Sequence, residues 1–228
     1  GIDTSLTTAD IDTCYQYRLT NIDYDPDYCE FTLGSAAPGG YVWVFPKDED
    51  TANVGIGVQL SKVKSPGDPK MYLDRFIAKN PGLKKGKPLE AVAGAVSICA
   101  PLDSVCVDNL MLVGDSARMI DPITGGGISI SCVAGKFAGK VLAKGVMAGD
   151  LSMNVLQEYE KAWRDRYENK LWRNWMAKEK LTTLSDEVLD QLVHTMTMVG
   201  VEKLSVQSLL AVVKAHHPDL VKEFEDLI

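Results

Sequence analysis

The residues best suited to chemistry lie in one stretch, where an apolar run is followed by a Gly-Asp pair, a proline and three glycines. The run Leu110–Val113 predicts a strand covered on both faces. Asp115 follows its carboxyl end, where α/β folds bind polar ligands, and its carboxylate can accept hydrogen bonds from sugar-like hydroxyls. The glycines at 125–127 begin a predicted helix, whose N–H groups suit a phosphate or a reduced, anionic ring. The stretch therefore predicts a ligand site; a structural turn capped by Asp115 is the alternative.

A second candidate surface is the segment Pro38–Pro46, which reads P-G-G-Y-V-W-V-F-P. On a strand, successive side chains point to opposite faces, so Tyr41, Trp43 and Phe45 would share one face. A row of aromatic rings can wall an apolar substrate. Packing of the sheet onto its core is the alternative interpretation of the same pattern.

Both segments resemble motifs of known flavoproteins. The spacing from Asp115 through Pro122 to the glycines resembles the second FAD motif of the p-hydroxybenzoate-hydroxylase superfamily, and the aromatic segment is similar to the P-G-G-Y-x-W-x-F-P segment of its geranylgeranyl reductase branch. The resemblance implies FAD as cofactor, with Asp115 on the ribityl chain and Gly125 to Ile128 along the flavin pyrimidine edge. It assigns to the cofactor Gly114, Asp115, Pro122, Gly125, Gly126, Gly127 and Ile128, and to the substrate Tyr41, Trp43 and Phe45.

The activity implied by this resemblance is reduction of isolated C=C bonds in the geranylgeranyl chains of isoprenoid lipids or chlorophyll-type pigments by reduced FAD. No residue is assigned as the catalytic acid, and the electron donor is left open between NAD(P)H and ferredoxin. One alternative is a related flavoprotein, such as a FixC-like electron-transfer dehydrogenase or an aromatic hydroxylase. The other is a non-catalytic remnant or interaction module.

The elements that must position these residues change character along the chain. Alternating β-branched and aromatic residues predict strands, and apolar residues at helical spacing predict helices. The predicted strands are Thr13–Ile22, Tyr28–Leu33, Tyr41–Phe45, Ala52–Leu60, Glu90–Ile98 and Leu110–Val113. The predicted helices cover 68–80, 127–147, 151–180, 185–195, 202–216 and 218 to the end. The expected fold class is α+β, with an antiparallel substrate-domain sheet (1–100), the C-terminal part of an FAD-binding α/β domain (101–150) and a helical lobe (151–228).

One expected part of a flavin site is absent from the sequence. There is no G-x-G-x-x-G fingerprint, because Gly55-Ile56-Gly57 lacks the third glycine. In the resembled family an N-terminal Rossmann βαβ unit supplies that fingerprint. We therefore expect the chain to be a fragment that binds FAD weakly by itself, and we expect an exposed sheet edge that could support self-association.

Composition excludes several classes of function. The net charge of −7 argues against nucleic-acid binding, which needs a basic surface. The five cysteines are scattered without a C-x-x-C pair, so neither a metal site nor a disulfide framework is predicted. No apolar run approaches the roughly 18 residues of a membrane span. The expected location is the cytoplasm. Peripheral membrane contact through an aromatic stripe is an alternative to its role as a packing face; the stripe comprises Trp163, Tyr167, Leu171 and Trp175.

Overall fold

The computed structural model of the protein describes residues 1–227, apart from the side chains of Glu223, Glu225 and Asp226. The chain divides into two compact units, each built from separate stretches of sequence. The sheet unit comprises Thr8–Val96 and Leu181–Lys203, and the helical unit comprises Gly1–Thr7, Ser97–Lys180 and the chain from Leu204 on. The three consecutive domains expected from the sequence stay a prediction.

The strands and one helix occupy the first half of the described chain, and four further helices follow. The strands are β1 (Ile11–Thr20), β2 (Glu30–Thr32), β3 (Tyr41–Pro46), β4 (Ala52–Gln59), β5 (Lys87–Ser97), β6 (Cys106–Val107) and β7 (Leu110–Met111). The α-helices are α1 (Asp68–Lys79), α2 (Ile128–Ala148), α3 (Met153–Leu181), α4 (Asp186–Met198) and α5 (Val206–His216). The α+β class predicted from the sequence is confirmed, as is the antiparallel sheet.

The sheet unit is built on five strands in the order β2-β3-β4-β1-β5, and the β2–β3, β3–β4 and β4–β1 pairs are antiparallel. One face of the sheet forms the core, because alternate residues on β3 and β4 point to the same side. Val42, Val44, Val54 and Ile56 are buried there with Leu73 of α1. The strand β5 is an edge strand whose residues are exposed from Lys87 to Ala95.

The helical unit has its own core between α2 and α3. Small and branched side chains spaced at three and four residues, such as Ile130, Ala134 and Val141, form the buried face of α2. They lie in one cluster with Tyr159 and Trp163 of α3, both fully buried. Leu171 belongs with Trp163 to the aromatic stripe predicted from the sequence. It is also fully buried in this cluster, as expected for a packing face.

Several boundaries differ from those expected. The strand β7 covers only Leu110–Met111 of the predicted strand Leu110–Val113, and Leu110 is 42% exposed instead of buried on both faces. The reason is that within residues 1–227 this segment pairs only with β6, in a two-stranded hairpin. Near the C-terminus, α5 begins at Val206 because Ser205 caps it in a capping box with Ser208. The last predicted helix is instead a 3₁₀ segment, Val221–Leu227.

None of the helices in the described part of the chain combines the length and the apolar composition needed to cross a membrane.

Candidate functional site

The first part of the candidate site, in the helical unit, is the sharp turn that carries Asp115. After β7 the chain enters a 3₁₀ turn at Gly114–Ala117, which Arg118 ends in the left-handed conformation. Gly114 has a φ of +77°, which a residue with a Cβ adopts only under strain. The Met119 N–H donates to the carbonyl of Gly114 at 3.1 Å and closes the turn. Asp115 is left exposed at the surface, as a ligand-binding carboxylate must be.

The second part is the glycine segment at the start of α2. Gly127 is the N-cap residue, and no side chain caps the helix, so its first N–H groups are left for water or a ligand. Ile128, the first helical residue, is 86% exposed. A Cβ added to Gly127 would lie 3.6 Å from Oδ1 of Asp115, so the fold brings the carboxylate beside the helix N-terminus. In this arrangement the Asp115 carboxylate can accept hydrogen bonds from hydroxyls, and the N–H groups at the start of α2 can donate hydrogen bonds to an anion.

Between these two parts lies the loop Asp121–Gly127, whose anchoring the sequence interpretation missed. Pro122 and Asp121 are buried, with Asp121 only 6% exposed. The Asp121 carboxylate accepts a hydrogen bond from Nδ2 of Asn174 at 2.8 Å and one from the backbone N–H of Ile123 at 3.1 Å. An Asp-Pro pair is a local turn signal. No local signal could identify Asn174, which is 53 positions away in the sequence.

The aromatic residues predicted for the substrate lie in the sheet unit, on the sheet face opposite the valines of the core. Tyr41, Trp43 and Phe45 are half-buried and form a continuous row, with ring centroids 5.7 Å and 6.1 Å apart. Phe31 of β2 joins the row, 5.5 Å from Tyr41 and 5.4 Å from Phe45. The prediction that the three rings share one face is confirmed. None of the three belongs to the buried core cluster of this unit.

The glycines of β4 explain how the row lies on the sheet. Gly55 is the cross-strand partner of Trp43, and a Cβ at Gly55 would lie 2.3 Å from Cζ2 of that indole. The indole therefore lies flat over the glycine, and its Nε1–H donates to Oε1 of Gln16 at 3.0 Å. Gly57 is the partner of Tyr41 in the same register. Gly55 therefore makes room for the indole, whereas a Cβ at Gly57 would meet Asp12 and Cys14 instead of the Tyr41 ring.

A buried thiol, Cys106, lies on β6 in the helical unit. Burial, with a further contribution from the hydrogen bond to Glu160, raises the pKa of the Cys106 thiol to about 12, which disfavours the thiolate. In the described residues, no group of three or more His, Cys, Asp or Glu side chains could hold a metal ion. Two cavities of about 460 and 500 Å³ lie in the sheet unit, and neither is lined by Tyr41, Trp43 or Phe45.

Comparison with known proteins identifies the chain's relatives. Residues 10–96 match the geranylgeranyl reductase catalytic domain. A digeranylgeranylglycerophospholipid reductase from Thermoplasma volcanium is 48% identical over 223 residues, which make up 98% of this chain and 56% of that protein. The chain belongs to the geranylgeranyl reductase family. It spans about half the length of the curated relatives that it matches.

Solved structures agree with membership of the geranylgeranyl reductase family. The crystal structure of a geranylgeranyl bacteriochlorophyll reductase-like protein from Thermoplasma acidophilum matches with a TM-score of 0.90 and 46% identity, over 98% of this chain and 56% of the other. A myxobacterial chondrochloren halogenase, described as an FAD-dependent halogenase, matches with a TM-score of 0.53 at 15% identity, over 85% of this chain and 49% of the other. At that identity the second match shows a shared fold alone.

Proposed function

We propose that this chain carries part of the FAD site and part of the substrate surface of an enzyme that reduces C=C bonds in geranylgeranyl chains of glycerophospholipids. The observation that carries the proposal is the start of α2, where uncapped N–H groups and an exposed Ile128 lie beside the Asp115 carboxylate. A Ser, Thr, Asp or Asn side chain at the N-cap would occupy some of these N–H groups, and α2 has none. A helix that begins with an uncapped turn and an exposed isoleucine suits a ligand with a polar edge and an apolar face.

The residues present fit the cofactor that the family motif implies. The ribityl chain of FAD carries hydroxyls, and the exposed Asp115 carboxylate can accept hydrogen bonds from them. The pyrimidine edge of the flavin gains negative charge when the ring is reduced, and the N–H groups and dipole at the start of α2 stabilise negative charge there. Ile128 would cover the ring and exclude water. Once bound and reduced, FAD would supply the hydride for the alkene.

The aromatic row is proposed as the surface for the prenyl chain. An isolated alkene has no polar group for a protein to hold, so binding depends on apolar area and on exclusion of water. Tyr41, Trp43 and Phe45 provide a half-buried apolar strip with one anchored indole. We assign no residue as the proton donor. The names of the curated relatives favour a glycerophospholipid over a pigment as the carrier of the chain.

The cofactor half of the proposal is tested by titrating FAD into the purified native gene product that contains this sequence. Asp115→Ala should weaken FAD binding about 10-fold or more, because hydrogen bonds to a charged group are worth roughly 1.5–3 kcal/mol. Asp165→Ala is the matched control, since Asp165 is exposed on α3, where it forms a surface ion pair with Lys161. Flavin fluorescence quenching measures the dissociation constant. Failure of the unmodified protein to bind FAD would favour the alternative that it is a non-catalytic module.

The substrate half is tested with reduced flavin and a geranylgeranyl glycerophospholipid, following the mass gain of two hydrogens per reduced bond. Trp43→Ala should lower turnover about 10-fold or more while FAD affinity is unchanged, because it removes the anchored ring of the row. Tyr28→Ala, an aromatic residue 69% exposed outside the row, is the control. Consumption of NAD(P)H and oxygen without lipid reduction would favour the hydroxylase instead.

A further inference from the structure

The loop before α2 is held by a buried carboxylate that the family motif does not assign. Asp121 is 6% exposed, and Asn174, its hydrogen-bond partner on α3, is 7% exposed. Lys170 of the same helix lies 3.2 Å from the carboxylate, with its own side chain 54% exposed. A buried carboxylate is costly unless it is satisfied. The neighbouring groups therefore dictate where this side chain lies.

The same residue closes the loop through its backbone. The N–H of Asp121 donates to the carbonyl of Gly126 at 3.0 Å, and the N–H of Gly125 donates to the carbonyl of Asp121 at 2.8 Å. The carboxylate also accepts from the N–H of Ile123 at 3.1 Å. One residue thus links both ends of the loop and attaches it to α3. Asp121 therefore connects the glycines that precede α2 to Asn174 of α3.

The anchor on α3 lies beside the core of the helical unit. Asn174 lies one helical turn after Leu171, which is fully buried in the core of the helical unit. The amide is therefore fixed by core packing, and the loop is fixed by the amide. This chain of contacts runs from the core to the uncapped N–H groups at the start of α2.

We infer that Asp121 and Asn174 are positioning residues, which hold the loop Asp121–Gly127 so that the N–H groups at the start of α2 are aimed at the flavin. The inference rests on the proposed function, because it assigns a role toward FAD. Preorganised N–H donors stabilise a developing negative charge better than mobile ones. The pair should therefore control both FAD affinity and the ease with which the bound flavin is reduced.

The decisive experiment exchanges the two side chains in the FAD-loaded native gene product. Asn174→Asp alone places two carboxylates against each other, and we expect about a 10-fold rise in the FAD dissociation constant and a more negative flavin reduction potential. Asn174→Asp combined with Asp121→Asn restores the hydrogen bond, with the amide now donating from position 121 and its oxygen still accepting from Ile123. The double variant should return to within about 3-fold of the original dissociation constant.

A control on the same helix separates positioning from general destabilisation. Lys161→Ala removes an exposed ion pair with Asp165 and should leave the dissociation constant and the potential unchanged. If Asp121 and Asn174 only stabilise the fold, the single variant will melt at a lower temperature but, while folded, keep the original potential and flavin spectrum. That result, or failure of the exchanged pair to restore binding, would overturn the inference. Absence of FAD binding by the unmodified protein would instead contradict the proposed function.

Discussion

Asp115 and Asp121 lie six positions apart in one segment and have opposite surroundings. Asp115 is exposed beside the N-terminus of α2, whereas Asp121 is buried and hydrogen-bonded within the protein. An exposed carboxylate is available to a ligand, and a buried one must be satisfied by its neighbours. The same residue type is therefore accessible to a ligand in one position and anchors a loop in the other. Accessibility also separates the cysteines.

The cysteines allow a prediction about single residues. Burial is the main cause that raises the pKa of the Cys14 and Cys106 thiols to about 12, so little thiolate forms at pH 8, whereas Cys29 and Cys132 are exposed. We expect iodoacetamide at pH 8 to alkylate Cys29 and Cys132 at least about 100-fold faster than Cys106 in the folded chain. Peptide mass mapping measures the rates, and the same reaction in denaturant is the control. Equal rates in the folded protein would contradict the buried position of Cys106.

At the scale of elements, the register between β3 and β4 produces one aromatic surface. Every aromatic residue of the row on β3 projects from the same face, and the residues of β4 opposite Tyr41 and Trp43 are glycines. A glycine weakens a strand, since its backbone loses more conformational entropy on folding and it has no side chain to pack. Its presence opposite Trp43 is explained by the indole that covers it.

Gly55→Ala tests this pairing. The new Cβ would overlap the indole, so Trp43 must leave Gln16 or the strands must separate. We expect a loss of about 1–3 kcal/mol in the free energy of unfolding and a changed near-ultraviolet circular dichroism spectrum. Gly94→Ala on β5 is the matched control, because a Cβ there meets nothing within 4 Å. If both variants unfold at the same denaturant concentration as the parent, the close indole–glycine contact is wrong.

At the scale of the whole molecule, stability depends on carboxylates held by their neighbours. Burial acts to raise the pKa of Glu160, but hydrogen bonds from Arg164, Cys106 and Ser104 outweigh it, and the pKa lies below its ordinary value of 4.5. The Asp186 pKa is lowered by hydrogen bonds from the side chain and backbone of Ser35. A group with a lowered pKa in the folded state stabilises the fold above its unfolded pKa. That stability is lost as the pH falls through the folded pKa.

We therefore expect the free energy of unfolding to fall steadily as the pH is lowered from about 5 to 3. Glu160→Gln should cost about 2 kcal/mol at pH 7, since Arg164 loses one of its two charged partners, Glu160 and Glu168, and should flatten the acid limb of the profile. Glu158→Gln is the control, because Glu158 forms an exposed ion pair with Lys144. Urea unfolding at a series of pH values measures the loss of stability at pH 7 and the slope of the acid limb in each variant. An unchanged acid limb in the Glu160 variant would show that another group dominates acid unfolding.

Local patterns in the sequence were sufficient for the strands β1 to β5, the helices α1 to α4 and the single face of the aromatic row. Such features depend on alternation, helical spacing and turn residues, which act between near neighbours. The candidate FAD residues were also recognisable, because they lie within one short segment. Tertiary structure alone decided that Asp121 meets Asn174, that Trp43 covers Gly55 and that Leu110 is left exposed. These outcomes depend on which distant surfaces pack together, and packing is a property of the whole folded chain that no local pattern encodes.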